Sequence, residues 1–206
     1  QVLNTGDLTL NSGAGIISLG VIGNTVPFAN LSVTTTAALA LPNNIATATA
    51  INFTSGGIIN GAGTLSTGSL VTSSVGGFSK TGANTVNNFT ATNTTNGDIT
   101  FVNAATTLTL GTISQSGTGN VSITNTGNLT TGAITTGGGT LSLTTNAANN
   151  LLTIGGAVNT STGAVTYSSD NMTLTGVTTA TGAIVTLIPT TAAVLINLGG
   201  ADIAGT

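Results

Sequence analysis

The chain has 206 residues, and its charged side chains number five: Asp7, Lys80, Asp98, Asp170 and Asp202. With no Cys and a single Lys, it excludes disulfide bridges, thiolate metal sites and the basic patches that bind nucleic acid. Disorder is also disfavoured, because disordered chains combine low hydrophobicity with high net charge, whereas here the net charge is −3 and the mean hydropathy is +0.47.

Short strands are predicted from the start of the chain, but the first half, residues 1–96, is less regular than the second. Gly6 precedes an alternating Leu8 and Leu10, and further strands are predicted around Leu31–Val33, Leu39–Leu41, Ile51–Phe53 and Leu65. Four phenylalanines, Phe28, Phe53, Phe78 and Phe101, follow one another at intervals of 25, 25 and 23 residues. Either their rings stack on successive coils, or the spacing is a coincidence.

The second half, residues 97–206, repeats one unit in which a glycine precedes a short alternating strand. The opening glycines are Gly97, Gly119, Gly139, Gly163 and Gly182, which lie 22, 20, 24 and 19 positions apart. Alternation of apolar and polar residues predicts that Val121, Ile123, Leu141 and Leu143 point inward. The glycines, with Asn and Asp, are expected to supply positive φ at the turns.

A unit of about 20 residues cannot bury its own apolar face and must stack on its neighbours, as in a solenoid. Helices are disfavoured, because β-branched Thr is abundant and the common helix formers are almost missing. We therefore predict an all-β fold, a parallel β-helix formed by residues 1–206 as a single segment. About ten coils at the spacing of paired strands would make a rod about 50 Å long.

Several stretches resemble the repeats of filamentous-haemagglutinin-like large exoproteins, namely Leu108–Thr145, Thr186–Pro189 and Ile196–Asp202. The segment Gly77–Thr85 is similar to repeats in autotransporter passengers. The resemblance implies a right-handed β-helix, secretion through an outer-membrane partner, and a role in adhesion, aggregation or biofilm formation.

No residue is predicted to be catalytic, cofactor-binding or metal-ligating, and we expect the protein not to be an enzyme. The four aspartates lie 91, 72 and 32 residues apart, and His, Arg and Glu are absent as partners for acid–base chemistry. Asp98 and Asp170, each beside Gly or Asn, are interpreted as turn residues. The stretch Gly199–Asp202 is similar to a calcium-binding turn but lacks its third glycine, so it is also interpreted as a turn.

These patterns favour a secreted structural or adhesive fibre at a bacterial cell surface, with a binding module as the alternative. A carbohydrate-binding β-helix would need an aromatic ladder on an outer face, and ice binding would need an outward Thr array in register on every coil. Thr-x-Thr pairs occur at Thr47, Thr107, Thr124 and Thr173, but at irregular offsets from the opening glycines. The expected partner is a second copy or further coils, because neither Gln1–Leu3 nor Ala204–Thr206 resembles a polar cap. Contacts with a host surface or a matrix polysaccharide are also expected, and no transmembrane segment is predicted, because no apolar run approaches roughly 20 residues.

Overall fold

The computed structural model describes residues 6–195, and all the regular elements in that range are β-strands. This confirms the all-β prediction, and no helix among these residues is long and apolar enough to cross a membrane.

The strands form two sheets, A and B. Sheet A contains β1 (Leu8–Ser12), β3 (Phe28–Thr35), β5 (Ile45–Ser55), β7 (Leu65–Ser74), β8 (Phe78–Asn93), β10 (Thr107–Gln115), β12 (Asn128–Thr131), β13 (Ile134–Thr136), β15 (Leu151–Ile154), β16 (Val158–Asn159), β18 (Asn171–Leu174) and β19 (Thr178–Thr179). Sheet B contains β2 (Ile17–Ser18), β4 (Leu39–Ala40), β6 (Ile59–Asn60), the start of β8, β9 (Ile99–Asn103), β11 (Val121–Asn125), β14 (Leu141–Thr145), β17 (Val165–Ser168) and β20 (Val185–Ile188).

Each strand between the first and last described coils pairs in parallel with its equivalents one coil earlier and one coil later, so residues 6–195 form a β-solenoid. One inward column of sheet B shows the nine coils, which we number 1 to 9: Ile17, Leu39, Ile59, Phe78, Ile99, Val121, Leu141, Val165 and Val185. These residues are 19–24 positions apart, as the predicted coil of about 20 residues requires. At about 4.8 Å per coil the described stack is about 40 Å long.

The core is a narrow column of aliphatic side chains between the two sheets. Val121, Ile123, Leu141 and Leu143 are each at most 1% exposed, which confirms the predicted inward face. The residues between them, such as Ser122 and Ser142, are only half-buried and lie on the outer face. The alternation arises because successive side chains of a strand point to opposite faces.

The phenylalanines do not form one column, so the stacking suggested by their spacing is wrong as a whole. Phe28 and Phe53 lie in sheet A, whereas Phe78 and Phe101 enter the core from sheet B. The centroids of these last two rings are 5.9 Å apart, and both also contact Phe89, which the 25-residue spacing does not include. The cluster thus fills the centre of the stack from both sheets.

Glycines recur at the corner before sheet B because successive coils approach too closely for a side chain. A Cβ added to Gly97, Gly119, Gly139 or Gly163 would lie only 2.0–2.4 Å from the carbonyl oxygen of a glycine one coil earlier. None of these four has positive φ, so the turn conformation expected from the sequence is not their reason. Of the five opening glycines, Gly182 alone fits that expectation, since its φ is 73° and an added Cβ would meet no atom within 4 Å.

Candidate functional site

The described aspartates hold turns together rather than meeting in one site. The Asp98 carboxylate accepts a 2.7 Å hydrogen bond from the backbone N–H of Asn120, one coil later. Asp170 likewise accepts from the backbone and hydroxyl of Thr191, which lowers the pKa of its carboxyl group. Both aspartates therefore have the turn role predicted for them. Among residues 6–195, no three His, Cys, Asp or Glu side chains lie close enough to hold a metal ion.

The single lysine is buried in the core. Lys80 is 0% exposed and takes a place in the column that Phe101, Ile123 and Leu143 occupy in later coils. Its Nζ donates to three backbone carbonyls: Gly61 at 3.0 Å, Leu41 at 3.4 Å, and Gly63. Burial lowers the pKa of the amine to about 8. The ammonium group thus joins three successive coils, because it reaches from coil 4 to carbonyls of coils 2 and 3.

Polar side chains fill the corner where the chain passes from sheet A to sheet B. This first corner column is buried on every coil from 2 to 7 and consists of Thr35, Ser55, Ser74, Asn93, Gln115 and Thr136. Asn93 shows its function, since its amide oxygen accepts from Gly77 N–H at 2.8 Å and its amide nitrogen donates to Gly97 O at 2.7 Å. The column therefore pairs backbone groups that the turn would otherwise bury without partners.

A second corner column lies at the far end of sheet B and consists of Asn84, Asn103, Asn125 and Thr145. Asn103 exchanges two 2.9 Å hydrogen bonds with the backbone of Val86 and donates a third, also 2.9 Å, to the Asn125 side chain. Asn is predicted only to supply turn conformations, and that prediction does not identify the buried polar side chains of either corner column. The available signal is an Asn or Thr two residues beyond the last inward apolar residue of a strand, as in Phe101–Asn103.

The outer face of sheet A carries one column of uncharged polar residues over all nine coils. Its members, which we call the outer column of sheet A, are Asn11, Thr34, Thr54, Ser73, Thr92, Ser114, Thr135, Asn159 and Thr179. Each pairs in register with the next. The column presents a hydroxyl or an amide about every 4.8 Å along the rod.

The outer face of sheet B carries two shorter ranks over coils 5–9. The first rank is Thr100, Ser122, Ser142, Thr166 and Thr186, and the second is Val102, Thr124, Thr144, Ser168 and Ile188. Eight of these ten side chains end in a hydroxyl group. A two-dimensional array of hydroxyl groups in register is thus present, although Ser supplies part of it.

The Thr-x-Thr pairs singled out in the sequence do not build that array together. Thr47 points into the core, whereas Thr107 and Thr173 lie on sheet A and Thr124 lies on sheet B. A carbohydrate site based on an outer aromatic ladder also finds no support in the described residues. Tyr167 and four of the five Phe are at most 1% exposed, and Phe28 is half-buried.

One surface cavity of about 350 Å³ lies in the loop before β3, where Val21, Ile22, Val26 and Phe28 form its apolar part. Its other lining residues are Gly23, Asn24 and Thr25, so it holds no titratable side chain. The stretches Gln1–Leu3 and Ala204–Thr206, and the turn predicted at Gly199–Asp202, lie outside the described residues.

Comparison of the chain with protein-family models, with curated proteins and with solved structures gives no match.

Proposed function

We propose that this chain is a non-enzymatic structural segment of a secreted bacterial surface fibre, which acts in adhesion, aggregation or matrix formation. The observation that carries the proposal is the uninterrupted parallel stack through nine coils, with uncharged polar columns outside and hydrogen-bonded polar columns at both corners. Such a stack resists bending and grows in length by adding coils, which is what a fibre requires.

The ionisable groups support the same conclusion. Asp98 and Asp170 are engaged by backbone N–H groups, and the amine of Lys80 is enclosed by carbonyl oxygens. Acid–base catalysis needs titratable groups within reach of a substrate and of each other. In this chain they are instead used to hold successive coils together.

Electron microscopy and light scattering of the purified chain at micromolar concentration test the proposal. A fibre segment gives thin rods that elongate by head-to-tail addition as the concentration rises, because an uncovered terminal coil presents free strand edges. Compact particles, or short monomers that never elongate, would contradict it.

Ice binding is a second candidate, and the two ranks of sheet B favour it. Their hydroxyls lie in register on successive coils, even though the Thr-x-Thr pairs of the sequence have irregular offsets from the opening glycines. The test is inhibition of ice recrystallisation by the wild-type chain and by Ser142→Lys, with Thr54→Lys on sheet A as the matched control. Loss of inhibition in Ser142→Lys alone supports ice binding, and an inactive wild-type chain rules it out.

A further inference from the structure

We propose that the outer face of sheet A is a lateral interface with a second copy of this chain, so that rods associate side by side. This inference rests on the proposed fibre function and adds to it the face through which the fibres thicken. The interface consists of the outer column of sheet A and, over coils 1–5, of its neighbouring column: Thr9, Ser32, Asn52, Val71 and Thr90.

The face is broad and accessible. Its strands are 8–11 residues long in coils 2–5, counting only the part of β8 that pairs in sheet A, whereas the strands of sheet B in coils 1–3 have two residues each. Seven of the nine residues in the outer column are exposed, and only Thr92 and Ser114 are half-buried. The two columns hold 14 outward residues, and at about 6.6 Å along the strand and about 4.8 Å between coils they cover about 450 Å². That is about half of the roughly 800 Å² per partner of a stable protein interface, as expected for a contact that repeats along elongated rods.

The spacing of the column identifies the occupant. Side chains repeat about every 4.8 Å along the rod, so a partner that matches them over nine coils must have the same period. A second copy has the same repeat of about 4.8 Å, because the same backbone hydrogen bonds stack its coils. Two such faces can interdigitate, with the side chains of one copy between the coils of the other, as in dry interfaces between paired sheets.

Electrostatics permits the contact. Neither column contains a charged residue: Lys80 is buried, Asp98 lies at the corner before β9, and Asp170 lies before β18. The nearest carboxylate is that of Asp7, two residues before Thr9 at the edge of coil 1, and it accepts a 2.7 Å hydrogen bond from the Asn30 side chain. The two columns themselves therefore meet without like-charge repulsion, which would otherwise oppose association of identical surfaces. The Thr, Ser and Asn side chains can donate and accept across the contact, and Val71, which is 39% exposed, adds apolar area at coil 4.

The test introduces like charges into this face. In the double variant Thr54→Asp and Thr135→Asp, charges lie on coils 3 and 7, so they face like charges in both the parallel and the antiparallel arrangement. The matched control, Thr100→Asp and Ser142→Asp, adds the same charge to sheet B. Circular dichroism confirms that both variants retain the β fold. Sedimentation velocity should show lateral assemblies for the wild type and the control. The sheet A variant should need at least about tenfold more protein to form them.

Single cysteines give an independent readout, because the chain has no Cys of its own. Under oxidation Thr92→Cys, on the central coil, should form disulfide-linked dimers of rods, whereas Ser142→Cys should stay unlinked. Equal association of both charge variants, or equal crosslinking at both positions, would overturn the inference. Single rods that elongate without thickening would also overturn it while leaving the fibre proposal intact.

Discussion

Replacement of Gly139 by alanine tests the close approach of coils at the corner before sheet B. A Cβ at this position would lie 2.0 Å from the carbonyl oxygen of Gly119, where an ordinary contact needs more than about 3 Å. The two coils must therefore move apart by about 1 Å. Leu141 and Val121, two residues further on, are paired in the core and cannot follow without weakening the ladder.

Overpacking of this kind costs about 1–3 kcal/mol. Alanine also restricts the unfolded chain, which offsets about 0.4–1 kcal/mol of that cost. The matched control is Gly13→Ala, at the same corner in coil 1, where no atom lies within 4 Å of the added Cβ and φ is not positive. The control should be neutral or slightly stabilising, and because the effect on the unfolded chain is common to both variants, they should differ by about 1–3 kcal/mol.

Urea unfolding followed by circular dichroism measures this difference, and a thermal melt should show Gly139→Ala several degrees below Gly13→Ala. Equal midpoints for the two variants would refute the steric explanation. They would mean that the corner glycines are present for the flexibility of the chain and not for the spacing of the coils.

Three further variants address the core, the buried amine and the corner columns. Ile123→Asp should lose at least about 3 kcal/mol of unfolding free energy because it buries a carboxylate, whereas Ser122→Asp should lose less than about 1 kcal/mol; equal melting temperatures would contradict the inward assignment. Burial lowers the pKa of Lys80 to about 8 from 10.5, so the unfolded chain binds more protons between these values and stability should rise with pH, by up to about 3 kcal/mol. Lys80→Met should abolish that rise. The measurements stop at about pH 10, because burial raises the pKa of Tyr167, and above this pH the titration of Tyr167 makes the unfolding free energy fall as pH rises. Asn103→Ala leaves backbone groups unpaired and should cost about 2–3 kcal/mol in urea unfolding, and a neutral effect would show that water replaces the amide.

The coil could be predicted from the sequence because the evidence for it is local. Alternation in Val121–Ile123 and Leu141–Leu143 identifies inward residues, and recurring glycines indicate the length of the repeat. The reason for the glycines cannot be found locally, because the carbonyl that excludes a side chain at Gly139 belongs to Gly119, one coil earlier.

The register of the outer faces is harder to predict than the repeat. Coils differ in length by up to five residues, and some of the extra residues are bulges within strands, as between Lys80 and Asn84, so the columns of sheet A cannot be counted from the opening glycines. The hydroxyl ranks of sheet B are an exception, because they lie three and five residues after Gly97, Gly119, Gly139 and Gly163. A search for Thr-x-Thr pairs misses them, since Ser supplies part of each rank. The burial of Lys80 escapes prediction because a lone lysine is normally exposed, and only the three-dimensional position of Gly61 shows the space into which its side chain extends.

The burial of Lys80 has a consequence for proteolysis. Trypsin-like enzymes cleave after Lys or Arg, and the only such peptide bond in the chain is the one between Lys80 and Thr81. This bond lies inside β8, a strand paired with the coils on both sides. A trypsin-like protease must therefore wait until the middle of the stack opens, so the folded rod should resist this class of enzyme, and the rate of the single cut reports how often the centre of the solenoid unfolds.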